Sequence, residues 1–488
     1  MPRSTASIDR LLSPTRRTPR LLLLAAMFLA CVAAPRAQQP AAIDWPRIED
    51  ETMRHFQAVL RMDTSDPPGG EKPAADYIRE VLEKEGIPVQ TFALEPNRPN
   101  VVARLKGSGR KRPLLILGHT DTVNVDPAKW THPPFGAVRD GGYVYGRGTT
   151  DDRDNVAAGL MIMLMLKRQN IPLDRDVIFL AEPGEEGTTR VGIEFMVNNH
   201  FDAIDAEYCY AEAGGVTRQG GTVRFANIIT VEKIPRGIAL VARGPAGHGS
   251  MPLKSSAIAH LAGAVERVAN WKPPINITDT TGAYFKRLAQ ISPPADAKRY
   301  RDILSADPKV SGAADDYFLE HEPRHASMIR TSASPNIIQA GYRINVIPSD
   351  ATATLDVRVM PDENLDRFLE QVKKVVNDPA VEVRWTNRST RPSGISRINT
   401  EAFTVIEDNI TKHYQTVTLP TLLPGATDMA FLRATGMQCY GMGPAIDMED
   451  GPKGFGAHSD QERILESELH RFVRFQWDAV VDLVKAGN

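Results

Sequence analysis

Leu114-Leu115-Ile116-Leu117-Gly118-His119-Thr120-Asp121 is the stretch on which the fold turns. Four apolar residues in a row, closed by a glycine and lacking polar alternation, read as a strand buried on both faces. Such a strand needs helices on either side, and the flanking sequence supplies them. Ala74 to Glu85 sets Tyr77, Ile78, Val81 and Leu82 at helical spacing. Val156 to Leu166 is almost wholly apolar, so that helix belongs in the centre. Asp176 to Ala181 and Glu207 to Ala211 repeat the strand pattern. Strands alternating with helices predict an α/β fold with a central, mostly parallel sheet covered on both faces.

The pattern changes after Val231. Ile238 to Ala242 reads as a strand, Ser255 to Trp271 as an amphipathic helix, and Thr280 to Arg324 as a polar, proline-containing helical stretch. Ile344 to Ile347 and Ala351 to Val359 read as a strand pair around Pro348-Ser349. After Pro361 the α/β pattern resumes, with helices over Glu363 to Val376, Asn399 to His413 and Glu466 to Val484. The expected division is a leader over 1–42, a first core segment over 43–231, an inserted α+β module over 232–359 and a second core segment over 360–488. A chain of 488 residues fits two or three domains at ~100–200 residues each.

In the leader, Arg16, Arg17 and Arg20 precede an apolar run from Leu21 to Ala34, shorter than the ~20 residues that span a bilayer but of the size of a signal-peptide core. The expectation is export to the periplasm or outside, with no stable membrane span after removal of the signal. A lipoprotein anchor at Cys31 is the weaker reading, because Phe28 and Leu29 match the cleavage box poorly. Cys209 and Cys439 sit in strand-like runs and read as buried thiols; a disulfide framework needs more cysteines than the three present. With a formal net charge of −2 and no basic run carrying interleaved aromatics, the chain lacks the footprint of a nucleic-acid binder. A peptide or other small molecule is the better partner.

Ligands of open α/β sheets bind beyond the carboxyl ends of the strands. His119 and Asp121 follow the first strand quoted, a spacing that suits a metal-binding imidazole with a carboxylate behind it. Asp151-Asp152 enters the apolar helix, where an acidic pair is also an ordinary response to the helix dipole. Glu185-Glu186, flanked by Gly184 and Gly187, follows the next strand. Glu212 ends another, and His458 lies far downstream after a Gly-rich loop. Each alone is weak, since single histidines and glutamate pairs are usually structural or solvated. Together they deliver two imidazoles and several carboxylates to one edge. Asp151, Glu186 and Glu212 gathered without a cation would raise one another's pKa, and two divalent cations remove that conflict. The nitrogen and oxygen donors suit zinc. Of two adjacent glutamates, one can bind metal while its neighbour faces the water.

These motifs resemble the co-catalytic zinc peptidase family that includes glutamate carboxypeptidase, aminoacylase, acetylornithine deacetylase and succinyl-diaminopimelate desuccinylase. The resemblance rests on Gly118-His119-Thr120-Asp121-Thr122-Val123, Gly146-Arg147-Gly148-Thr149-Thr150-Asp151-Asp152, Glu185-Glu186, Glu212, Gly244 to Pro252, Asn345-Val346-Ile347-Pro348 and His458-Ser459-Asp460, which keep the family's order from about Trp45 to the C-terminus. It departs from the family at Arg153-Asp154-Asn155, where Lys-Gly is usual, and at Gly184, where Asp is frequent. Neither departure removes a ligand.

The resemblance implies two zinc ions per chain, with cobalt or manganese as substitutes. Asp151 would bridge them, His119 and Glu212 would complete one site, and Glu186 and His458 the other. Asp121 would orient His119, and Glu185 would be the general base. His248 would stabilise the oxyanion, often from across a dimer interface, although locally it is also a plain turn histidine. Asn345, Arg358 and Gly425 would contact the substrate, Arg358 holding its carboxylate; an ion pair with Asp356 is the structural alternative. The module over 232–359 would be a ferredoxin-like lid and dimerisation domain. Its long 280–330 stretch is closer to the carboxypeptidase S and secreted N-acyl-amino-acid hydrolase branch. The implied activity is hydrolysis of an amide or peptide bond next to a free carboxylate. The alternatives are an aminopeptidase or dipeptidase of the same family, which Arg358 disfavours, and a non-catalytic binding protein on the same fold. Trp130 and Pro134-Phe135 fit either a pocket wall or core packing.

Overall fold

A computed structural model describes residues 42–386 and 391–486. The expected leader, with Cys31, lies outside these residues. Among the described residues no helix is long and apolar enough to cross a membrane.

Leu114–His119 is a strand buried at every residue, as its unbroken apolar run requires. It pairs in parallel with Val177–Glu182 on one side and Tyr208–Ala211 on the other, and Gln438–Gly441 extends the parallel set beyond Tyr208–Ala211. Antiparallel strands Val89–Phe92 and Asn100–Leu105 close one flank. Thr222–Glu232, Gly215–Gln219 and Ala445–Asp447 form the other, giving with Thr418–Leu423 a ten-stranded sheet. The helix Arg153–Gln169 has an apolar surface all round and is correspondingly buried, packed under the closing helix Glu466–Val484. Gly159 lets it approach the sheet closely: a Cβ there would meet Phe179 at 2.6 Å. A second apolar layer covers the opposite face with Ile193, Met196, Met429 and Leu432. Cys209 and Cys439 face each other in register on neighbouring strands, both buried as free thiols.

A second, antiparallel sheet has the strand order Ser332–Ala340, Asp350–Val359, Ile234–Arg243, Val381–Trp385. With helices Ala257–Ala269 and Leu365–Val376 on it, the chain order is β-α-β-β-α-β, the ferredoxin-like arrangement. Three sequence expectations change here. The module does not end at 359, and Leu365–Val376 does not return to the first sheet. Phe368, Val372, Val376, Val381 and Val383 share one apolar cluster with Ile238, Leu240 and Leu355. Amphipathic spacing shows which face of a helix is apolar, not which sheet that face will meet. Second, 344–347 does not pair with 351–359. Val346–Ile347 instead forms a two-residue ribbon with Gly247–His248, and the unforeseen strand Ser332–Ala340, which contains Pro335 at a register shift, takes the edge beside Asp350–Val359. Third, the helices between Asp279 and Met328 pack on the large sheet rather than the small one: Tyr284, Phe285, Leu288 and Phe318 cluster with Val231, Leu419 and Leu422.

Candidate metal centre

The carboxyl ends of the buried parallel strands deliver the site. His119 is the last residue of its strand, and Gly118 before it lies against the N-terminus of Arg153–Gln169, where a Cβ would meet Val156 at 2.9 Å. That close approach puts His119 beside Asp151: Nε2 lies 3.1 Å from Asp151 Oδ1 and 4.0 Å from Glu212 Oε2. The other oxygen of Asp151, Oδ2, lies 3.0 Å from His458 Nε2, which is 2.9 Å from Glu186 Oε1. Two triads result, His119–Asp151–Glu212 and Asp151–Glu186–His458, each with ligand atoms within 4.8 Å of one another. Asp151 belongs to both and turns a different oxygen to each. His458 reaches its place with a backbone φ of 62°, in the left-handed region that residues with a Cβ adopt infrequently.

The electrostatics are those of a site built around positive charge. Burial pushes the Glu212 carboxyl well above the usual range, and Glu185 adds to the shift. Burial acts the same way on Glu185, with Asp428 adding and Arg391 opposing. Hydrogen bonds to Asp151 and Glu186 push His458 up to about 10. Imidazole nitrogens and carboxylate oxygens at these separations fit a divalent cation in each triad, which would relieve the crowding of like charges.

Asp121 does more than sit behind His119. Its Oδ1 lies 3.4 Å from His119 Nδ1 and also accepts from the backbone N–H of Gly184 (2.8 Å) and Glu185 (3.1 Å), while Oδ2 accepts from that of Glu186 (2.9 Å). Burial disfavours its charge, but His119 and these N–H groups hold its pKa below the ordinary carboxylate value. One residue therefore sets both: its backbone carbonyl, 3.2 Å from His119 Nδ1, and its carboxylate meet the first histidine, and the carboxylate holds the glutamate-pair loop.

Several supporting residues escaped the sequence reading. Glu462 is buried and collects Arg147 (2.7 Å), Gly148 N–H (3.1 Å) and Thr150 N–H (2.9 Å), shaping the loop that ends in Asp151. Its proximity in sequence to His458 was the available signal. Arg391 donates to Glu185 Oε1 at 3.1 Å and pairs with Asp428 at 3.2 Å; an arginine in a loop far along the chain gave no signal. Arg98 joins Asp66 and Glu71 beneath the glutamate-pair loop, both at 2.6 Å, and Gly187 fits against Asp66 because it lacks a Cβ, which would collide there.

The remaining sequence candidates stand apart. The hydrogen-bond partner of the exposed His248 ring is Ser250, 2.7 Å from Nδ1, rather than any of the five clustered side chains. Asn345 is the turn residue just before the same ribbon, its carbonyl accepting from Gly249 N–H. Arg358, on the small sheet, lies 3.3 Å from Asp356, the structural alternative foreseen for it. Gly425 follows Thr418–Leu423, two residues before Thr427, whose N–H and hydroxyl bond to the buried Glu232.

A mostly parallel α/β sheet whose strand ends gather two histidines and three carboxylates into linked triads defines the class: an α/β protein with a candidate metal centre. Residues 115–480 match peptidase family M20/M25/M40, and the chain belongs to that family. It is 29% identical over 330 residues to "Probable carboxypeptidase S-like 2" of Dictyostelium discoideum, covering 65% of this chain and 62% of that protein. It is 29% identical over 279 residues to the human "N-fatty-acyl-amino acid synthase/hydrolase PM20D1", covering 56% and 54% respectively. The matches thus span less than two thirds of either relative. The fold is similar to that of an M20 family metallo-carboxypeptidase from Sulfolobus solfataricus, with a TM-score of 0.66 at 18% identity over 89% of this chain and 99% of the other.

Proposed function

We propose that this protein is a metal-dependent amidohydrolase that cleaves an amide bond next to a free carboxylate, as a carboxypeptidase or N-acyl-amino-acid hydrolase does. The observation that carries the reading is Asp151, with one oxygen 3.1 Å from His119 and the other 3.0 Å from His458, beside a glutamate, Glu185, that belongs to neither triad. His119 and Glu212 would hold one divalent ion, Glu186 and His458 the other, with Asp151 between them. Zinc suits these donors, and cobalt or manganese would also be accepted. When bound, the ions supply Lewis acidity toward the scissile carbonyl and lower the pKa of water. Glu185, steadied at Oε1 by Arg391, takes a proton from the attacking water and returns it to the leaving amine. Burial raises its proton affinity in the direction a base working near neutral pH requires. Asp121 keeps His119 and the Glu185-Glu186 loop in register. His248 donates to the developing oxyanion, and Arg358, Asn345 and the Gly425 loop hold the carboxylate end.

The small sheet is proposed as lid and dimerisation domain. Its edge strand and the turn that leads from it to the ribbon expose Ile338, Tyr342 and Ile344, apolar residues 59%, 84% and 103% exposed. A homodimer through this face would cover them and offer His248 to a neighbouring subunit. The leader supports export to the periplasm or the exterior. The test is to purify the protein with metals retained, measure metal content, and assay N-acyl amino acids and dipeptides varied at each end. Activity lost on chelation, with a free carboxylate required, is expected. Full activity in metal-free protein, or a requirement for a free amine instead, would overturn the reading.

A further inference from the structure

The two histidines of the candidate metal centre are held in unlike ways. His119 is 2% exposed and ends a strand buried at every residue. His458 is 52% exposed and belongs to a loop, 451–460, without a buried residue. Holding an imidazole of such a loop 3.0 Å from Asp151 and 2.9 Å from Glu186 costs backbone entropy, which contacts elsewhere in the loop have to offset.

Arg463 makes those contacts. It opens the short strand Arg463–Leu465, which pairs with Tyr143–Tyr145. Its guanidinium carbon lies 3.9 Å from the ring centre of Tyr143 and 3.9 Å from that of Phe455. Nη2 and Nε donate to the two oxygens of Asp450, at 2.6 and 3.4 Å, and Nη1 donates to the Tyr145 hydroxyl at 3.2 Å. The Arg463 backbone N–H donates to the Phe455 carbonyl (3.2 Å), and the Phe455 N–H to that of Asp450 (2.8 Å). Asp450 is itself buried. A two-pronged guanidinium–carboxylate pair with aromatic rings against the cation is a strong anchor for a surface loop.

The partners of Arg463 fall into two groups. Tyr143 and Tyr145 lie on the strand whose chain runs on through Gly146-Arg147-Gly148 to Asp151, and Asp450 and Phe455 lie on the stretch that runs on to His458. Arg463 therefore fastens together the two segments that carry Asp151 and His458, both members of one triad. The adjacent Glu462 accepts from Gly148 and Thr150 N–H, so the Asp151 loop keeps an anchor of its own without Arg463. The other triad, His119–Asp151–Glu212, takes no residue from the 451–460 loop.

We infer that Arg463 is a positioning residue for His458 and sets the metal affinity of the Asp151–Glu186–His458 triad without setting that of its neighbour. The inference rests on the amidohydrolase reading above, which takes both triads as metal sites.

The test titrates Zn2+ into the metal-stripped full chain, with binding followed by calorimetry and bound metal counted by elemental analysis. The wild type should take up one ion in each triad. Arg463→Ala and Phe455→Ala should each bind one ion as the wild type does and the other ~10–100-fold more weakly, the range for losing a group that orients a metal ligand. Arg463→Lys keeps a charge beside Asp450 but lacks the planar fork, so it should recover part of the difference. In a His458→Ala background, adding Arg463→Ala should leave the affinity of the remaining ion unchanged, because the ligand that Arg463 positions is already gone. Phe455 is half-buried and outside the apolar clusters of the large sheet, so its variant carries the test if Arg463→Ala does not fold. Equal weakening of both ions, unchanged binding of both, or a further loss in the His458→Ala background would overturn the inference and leave the amidohydrolase reading in place. A wild type that takes up no metal would overturn that reading and the inference with it.

Discussion

At the carboxyl edge of the large sheet, His119 and Asp121 are buried, and Asp121 ties down the half-buried glutamate-pair loop through hydrogen bonds from three successive backbone N–H groups. On the ribbon beside the small sheet, His248 is exposed and bonded to a serine two residues away. The first region was legible in the residues themselves, the second only through the family resemblance. Their difference teaches that one half of the proposed machinery is set by the chain's own core, while the other half is held only by local bonds of an exposed ribbon. A rigid, over-determined centre loses function in proportion to what is removed from it. A mobile or borrowed group should show partial effects and can be supplied in trans.

The largest expected effect lies in the rigid half. Asp151→Ala removes a ligand atom from both triads, so it should lower bound metal further than Glu212→Ala or His458→Ala, each of which touches one triad. Activity should fall to background, with metal content read by elemental analysis. Equal metal loss in all three variants would refute the shared role of Asp151.

Glu185→Gln comes next. Turnover should fall by roughly 10³-fold, within the span of a general base, while both triads keep their metal. Loss of metal in this variant would mean that the roles of Glu185 and Glu186 are exchanged.

His248→Ala should cost on the order of 10²-fold in kcat, as removal of an oxyanion donor does, and equally for substrates with a free or an amidated carboxylate. If the ribbon acts across a dimer, mixing this impaired variant with Glu185→Gln should raise activity above that of either variant alone once subunit exchange is demonstrated. No recovery after proven exchange would place His248 on its own chain's site or outside catalysis, and would narrow the contrast between the two regions.

The smallest effect should be that of Arg358→Ala, about thirtyfold (~2 kcal/mol) on kcat/KM for free-carboxylate substrates and little for their amides. The nearby Asp356 already occupies this guanidinium, so part of its charge is spent before substrate arrives. A loss equal on both substrate forms would leave Arg358 with the structural role alone.

Much of the large sheet was legible because burial on both faces leaves a continuous apolar run. Leu114–His119 and Arg153–Gln169 could hardly read otherwise. The small sheet was legible only in part. Ser332–Ala340 is an exposed edge strand carrying Pro335, so neither alternation nor an apolar run marked it. Leu365–Val376 was found as a helix but assigned to the wrong sheet, since its apolar stripe does not name its partner. In the site, the ligand types stood out because their spacing at strand ends is unusual. Arg391, Glu462 and Arg98 did not, because a single charged residue in a loop looks like any other until its partner is known.

By itself the sequence determined which residues could bind metal, in what order they come, and that parallel strands would present them along one edge. Strand order, register and the packing of Gly118 against Val156 decided that Asp151 would face His119 with one oxygen and His458 with the other. The same level of structure decided that the helices after Asp279 would pack on the large sheet instead of thickening the small one. The physical reason is range. Helix and strand periodicity are written in neighbours a few residues apart, whereas a candidate metal triad spanning residues 151 to 458 exists only after long-range burial has brought distant segments within a few ångströms.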